Sequence, residues 1–159
     1  MKFAEFVCNE SINVSLQSKD KEGTIQEMVQ SLVDAGQIAE EDYKSVVKAV
    51  LKREELGSTG IGHSVAVPHA KHPNIPKMVA TVAISADGVD FNSLDGQPVQ
   101  VLFLLVSPPD MPQEHLHALE LMAKRLRDTQ FRRFMIQAKD VQAVQQLLED
   151  ADKGLFDET

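Results

Sequence analysis

The sequence predicts a single α/β domain in which a mixed central β-sheet is sandwiched between helices. Three observations predict it: two amphipathic helical repeats come first, extended apolar runs fill the middle, and three more helical repeats follow. Each layer then buries its apolar side against its neighbour. A chain of 159 residues suits one domain, residues 1–159, and its 43% hydrophobic content supplies a full core. A domain of that size buries roughly 70% of its unfolded surface.

Taken in order, Ile25, Met28, Val29, Leu32 and Val33 recur at helical spacing, and Gly36 ends the repeat. Tyr43, Val46, Val47, Val50 and Leu51 repeat the pattern up to Leu56-Gly57. A short connector makes the two helices an antiparallel pair. Residues 64–68 and 79–85 read as strands. Asp87-Gly88 and Asp95-Gly96 are turn dipeptides bracketing a short extended piece, residues 89–91. Residues 99–106 are continuously apolar apart from Gln100, as suits a strand covered on both faces, and Ser107-Pro108-Pro109 ends them. Helices are then predicted over residues 112–127, 129–138 and 141–151. Pro112 stands at a first helical position and Glu114 in the first turn, where its charge complements the helix dipole. Residues 153–159 are expected to form a frayed tail.

Composition excludes several function classes. Sixteen Lys and Arg against twenty-four Asp and Glu leave a net charge of −8, which repels nucleic acid and anionic lipid. Arg125, Arg127, Arg132 and Arg133 cluster, but helical geometry scatters them and no aromatic residues interleave them, so a solvated face is expected. Cys8 is the single cysteine, which rules out an internal disulfide framework and fits a reducing cytosol. The first residues lack the apolar core of a signal peptide, and no apolar run approaches the ~20 residues that span a bilayer. A cytoplasmic protein without membrane insertion is expected.

The segment Arg53-Glu-Glu-Leu-Gly-Ser-Thr-Gly-Ile-Gly-His-Ser-Val-Ala-Val-Pro-His-Ala70 carries the chemistry. Gly62 is followed by His63 rather than lysine, and position 65 is valine rather than a third glycine, so neither nucleotide-binding loop fits. The turn's backbone N–H groups, with the hydroxyls of Ser58 and Thr59, are still able to meet an anion. His69 follows Pro68 at the end of an alternating apolar run. It is either a surface histidine ending a strand or a nucleophile toward a phosphoryl group. Arg53 either complements its helix dipole or forks onto phosphate oxygens.

His63, His69 and His72 invite a metal, yet in an extended strand residues 63 and 69 lie roughly 20 Å apart and no acidic residue completes the set. No metal and no cofactor are expected. In the later helix the apolar stripe is Leu116, Leu119, Met122, Ala123 and Leu126. His115 lies roughly 45° from its centre and His117 roughly 155°, which puts His117 in water. An imidazole beside a core is ordinarily structural. His115, however, opens a helix at the sheet end where active groups of α/β folds collect.

These residues resemble the IIA domain of the fructose/mannitol type from the bacterial phosphoenolpyruvate-dependent phosphotransferase system, including its stand-alone nitrogen-related branch. The resemblance covers nearly the whole chain. It runs through residues 53–70, Asp95-Gly-Gln-Pro-Val99, the strand ending in Ser107-Pro108, and His115-Leu-x-x-Leu-x-x-Met-Ala-x-x-Leu126. It implies that His69 is the phosphoryl acceptor and that Arg53, Thr59 and His115 support it. His117 has no counterpart role. A histidine-containing phosphocarrier protein is implied as donor, and a IIB domain or a regulatory target as acceptor. The solitary architecture favours the nitrogen-related regulator, with a sugar-transport subunit feeding a fructose- or mannitol-type IIB domain as the alternative.

Overall fold

A computed structural model of the protein describes residues 1–157. Helices α1 (Lys21–Asp34) and α2 (Tyr43–Glu55) come first, followed by strands β1 (Gly60–Gly62), β2 (Val65–Ala66), β3 (His69–Lys71), β4 (Val79–Val89) and β5 (Val99–Ser107). Helices α3 (Pro112–Arg127), α4 (Thr129–Gln137) and α5 (Val141–Asp152) complete the chain. Asp20, Asp128 and Asp140 each accept a backbone N–H and so cap the starts of α1, α4 and α5.

β5 is the axis of the sheet. β4 runs antiparallel along one side of it, while β2 and β3 lie end to end, parallel to it, along the other. β1 forms an antiparallel hairpin with β2. Leu102, Leu104 and Val106 of β5 face α1 and α2, whereas Val101, Phe103 and Leu105 face α3, α4 and α5. β5 is therefore buried on both faces, as its continuous apolar run predicts. Before α1, two 3-10 turns carry the chain along the free side of β4. Cys8, Asn13 and Leu16 donate to Ala80, Val82 and Ile84, and Ala80 and Ile84 donate back to Phe6 and Asn13.

The structure corrects three expectations. The strand predicted over residues 64–68 shrinks to Val65–Ala66, and the chain rejoins the sheet as β3 beyond the proline. Pro68 has no N–H to give, and Val67 turns its own N–H to the Thr59 carbonyl at 3.1 Å. Asp87-Gly88 is no turn but lies inside β4, where the register against β5 shifts between Ile84 and Val89. Gly88 absorbs this bulge at φ +87°, and a Cβ there would sit 2.6 Å from that of Pro98. The tail expected to fray from residue 153 is ordered as far as Asp157. Gly154 closes α5 in a left-handed turn, Phe156 lies edge-on to Phe131 with centroids 5.3 Å apart, and Asp157 pairs with Arg125. Residues 158 and 159 of that tail lie outside the described residues.

Candidate functional site

Two parallel strands and the helix that follows one of them converge at a single end of the sheet. His69 opens β3 opposite Leu105, and Lys71 stands opposite Ser107, the last residue of β5. Four residues separate Ser107 from α3, so His115 in its first turn returns over the same strand ends. Ala70 points into the α1/α2 core, which sends His69 to the opposite face, toward α3. The two imidazoles meet there, their centroids 5.6 Å apart and their planes at 61°.

Each ring has a defined neighbour. His69 is half-buried, and its Nδ1 lies 2.8 Å from the Val67 carbonyl. A carbonyl only accepts, so Nδ1 carries the proton and Nε2 holds a free lone pair. Burial lowers the His69 pKa, the Val67 bond opposes this, and the Arg53 charge lowers it further. His115 is 6% exposed, and its Nδ1 shares a short hydrogen bond with Ser107 Oγ. Burial, and after it the neighbouring His69 and Lys71, bring its pKa down to about 4. Both rings are thus neutral at pH 7.

The remaining candidates divide. Arg53, in the last turn of α2, donates from Nη1 to the Gly57 carbonyl at 3.0 Å and lies near enough to His69 to act on its charge. Thr59 is 3% exposed and gives both its N–H and its hydroxyl to Glu54. Ser58 donates to the Phe91 carbonyl and accepts from the Gly60 N–H. The two hydroxyls of the glycine turn therefore brace the turn instead of facing outward. His117 is exposed on α3. His63 occupies the β1–β2 hairpin turn at φ 55°, toward the start of β5, while His72 binds Ser45 through Nε2 and Asn74 through Nδ1. Of the three histidines that suggested a metal, His69 and His72 are held by different partners and His63 stands in a separate turn.

Sequence reasoning passes over Glu54 and Ser107 and misplaces the buried stripe of α3. Glu54 is 5% exposed and paired with Lys21 at 2.9 Å, which ties the start of α1 to the end of α2 and to the glycine turn. In the sequence it looks like one more member of the charged run 52–55. Ser107 reads as a strand breaker before two prolines. The buried stripe of α3 is His115, Ala118, Met122 and Leu126, rotated by about 60° from the predicted one, and it leaves Leu116 53% exposed.

The sequence profile of the family described as "Phosphoenolpyruvate-dependent sugar phosphotransferase system, EIIA 2" matches residues 5–151. A nitrogen regulatory protein of Bradyrhizobium diazoefficiens is 33% identical over 93% of this chain and 95% of its own length. The fructose-specific EIIABC component of Bacillus subtilis is 34% identical over 96% of this chain, which spans only 24% of that longer protein. Among solved structures, the nitrogen regulatory protein IIA-Ntr of Neisseria meningitidis superposes with a TM-score of 0.82 at 25% identity, covering 91% of this chain and 97% of that one.

Proposed function

Since this chain belongs to the phosphoenolpyruvate-dependent sugar phosphotransferase system EIIA 2 family, we propose that it carries a phosphoryl group on His69. The observation that carries the reading is the free Nε2 of His69, fixed by the Val67 carbonyl and set beside a second neutral imidazole. Nε2 attacks the phosphorus of a phosphohistidine on a donor carrier protein. The new N–P bond forms as the donor's N–P bond breaks, and the electron pair leaves with the donor imidazole. The Nδ1 proton stays against Val67 throughout. Arg53 binds the equatorial oxygens, His115 donates a hydrogen bond to one of them, and Thr59 supports the site through the braced turn. Such transfer consists mainly of positioning and charge stabilisation. Leu56 and Leu116, 84% and 53% exposed, adjoin the Arg53 turn and His115 in the chain and offer apolar surface to a cytoplasmic protein partner.

The phosphoryl group then serves as a regulatory switch, adding nearly two negative charges to the surface. Alignment with a nitrogen regulatory protein along almost all of its length supports this role. The comparable identity to a fructose-specific component supports relay to a IIB domain as the second reading. Incubation with phosphoenolpyruvate, the first enzyme of the system and a phosphocarrier protein should label the protein on His69. IIB domains added one at a time then discharge it if it is a transport subunit and leave the label in place if it is a regulator.

Two further results are expected. Arg53→Lys slows acceptance about tenfold, because an ammonium keeps the charge but loses one of two charged hydrogen bonds. His117→Ala changes the rate less than twofold on the same reasoning, and stopped-flow transfer from labelled donor measures both. Attack needs neutral His69, and its pKa lies below the usual imidazole value. The transfer rate is therefore flat above pH ~6.5 and falls only at lower pH, once the ring gains a proton. A midpoint at or above pH ~6.5 in the rate profile would contradict this assignment.

A further inference from the structure

The Ser107 hydroxyl is fully buried at the end of β5, and His115 Nδ1 is its one hydrogen-bond partner among the described residues. A buried hydroxyl proton without an acceptor costs free energy, and a ring nitrogen that carries a hydrogen cannot accept it. The hydroxyl must therefore donate, and Nδ1 must accept. We propose that Ser107 is a positioning residue for phosphoryl transfer, which holds His115 in the tautomer with its proton on Nε2.

The two imidazoles of the site then carry complementary tautomers. His69 keeps its proton on Nδ1, against Val67, and offers a bare Nε2. His115 keeps its proton on Nε2 and offers a donor. Reversal of the His115 tautomer would put a lone pair in place of that donor and repel the phosphoryl oxygens. The neutral state of His115 adds to the need for such control, since only a protonated ring donates from both nitrogens. The Ser107 carbonyl accepts from the His72 N–H at 3.0 Å, so the backbone that carries the hydroxyl is itself held. The role assigned to Ser107 rests on the reading of His69 as acceptor, whereas the tautomer can be measured without any transfer.

Long-range 1H–15N correlation spectra of the whole protein at neutral pH read the tautomer directly, and His115 is expected as the Nε2–H form. The Nδ1–H form in the unmodified protein overturns the proposal. A pair of near-identical shape isolates the hydroxyl: Ser107→Thr keeps it and Ser107→Val removes it. The Val variant is expected to lose the single tautomer and to transfer about tenfold more slowly than the Thr variant, a fraction of the 10²–10³ that removal of a whole oxyanion donor costs. Its apparent KM for the donor protein should be unchanged, because the partner surface is untouched. Equal rates in the two variants, with both shown folded by thermal melting, overturn the proposal. A failure of the unmodified protein to accept label on His69 instead overturns the proposed function and leaves the spectra to stand on their own.

Discussion

His69→Ala is expected to take up no phosphoryl group from a labelled donor, under conditions in which the unmodified protein is labelled completely. The residual protein should remain folded. The ring is only half-buried, and its loss removes one hydrogen bond to Val67, a cost of about 1 kcal/mol. None of the neighbours is fit to replace it. His115 is buried with its Nδ1 committed to Ser107, and His72 has both ring nitrogens engaged. Acid-labile label on the His69→Ala variant, measured alongside an unchanged circular dichroism spectrum, would remove the acceptor assignment.

The second large effect concerns the salt bridge beneath the glycine turn. Lys21→Met is expected to destabilise the protein by about 3 kcal/mol, because the Glu54 carboxylate stays buried with its cation gone. The lysine also stands 5.0 Å over the Phe91 ring, so its loss is felt in the adjoining core. Pairing it with Glu54→Gln should recover a large part of the loss, since an amide still accepts from Thr59 and carries no charge to neutralise. Denaturant titration of the single and double variants measures the coupling. A Lys21→Met variant as stable as the parent would show that the pair contributes nothing. The double variant separates stability from function, because its turn keeps the Thr59 bonds and its transfer rate should fall far less than its single-variant stability.

The helices were legible from the sequence because their signal is local. Spacing of three and four residues marks α1 and α2, the predicted starts of α3, α4 and α5 coincide with those observed, and the aspartates before α1, α4 and α5 act as caps. β5 was legible for a different reason, since a strand covered on both faces is apolar at nearly every position, here from Val101 to Val106 without a break. β1 and β3 were not, because three residues such as Gly60-Ile61-Gly62 carry no period, and β3 pairs only with β5, more than thirty residues away. Asp87-Gly88 shows the same limit. The dipeptide favours a left-handed backbone, which serves a bulge as well as a turn, and only the partner strand decides between them. At the site, the meeting of His69 with His115 followed from the order of strand and helix. The brace of Lys21 and Glu54 did not, because its members come from opposite ends of a helical pair and each looks like ordinary surface charge.

The strap formed by the residues before α1 has a meaning beyond packing. Without it, β4 would present the open carbonyls of Ala80, Val82 and Ile84 and the open N–H groups of Ala80 and Ile84, a template on which another chain could add itself. Those first residues therefore act as a guard against aggregation. Their removal should be felt less as lost catalytic competence than as lost solubility, with oligomers growing from a sheet whose side has been left uncapped.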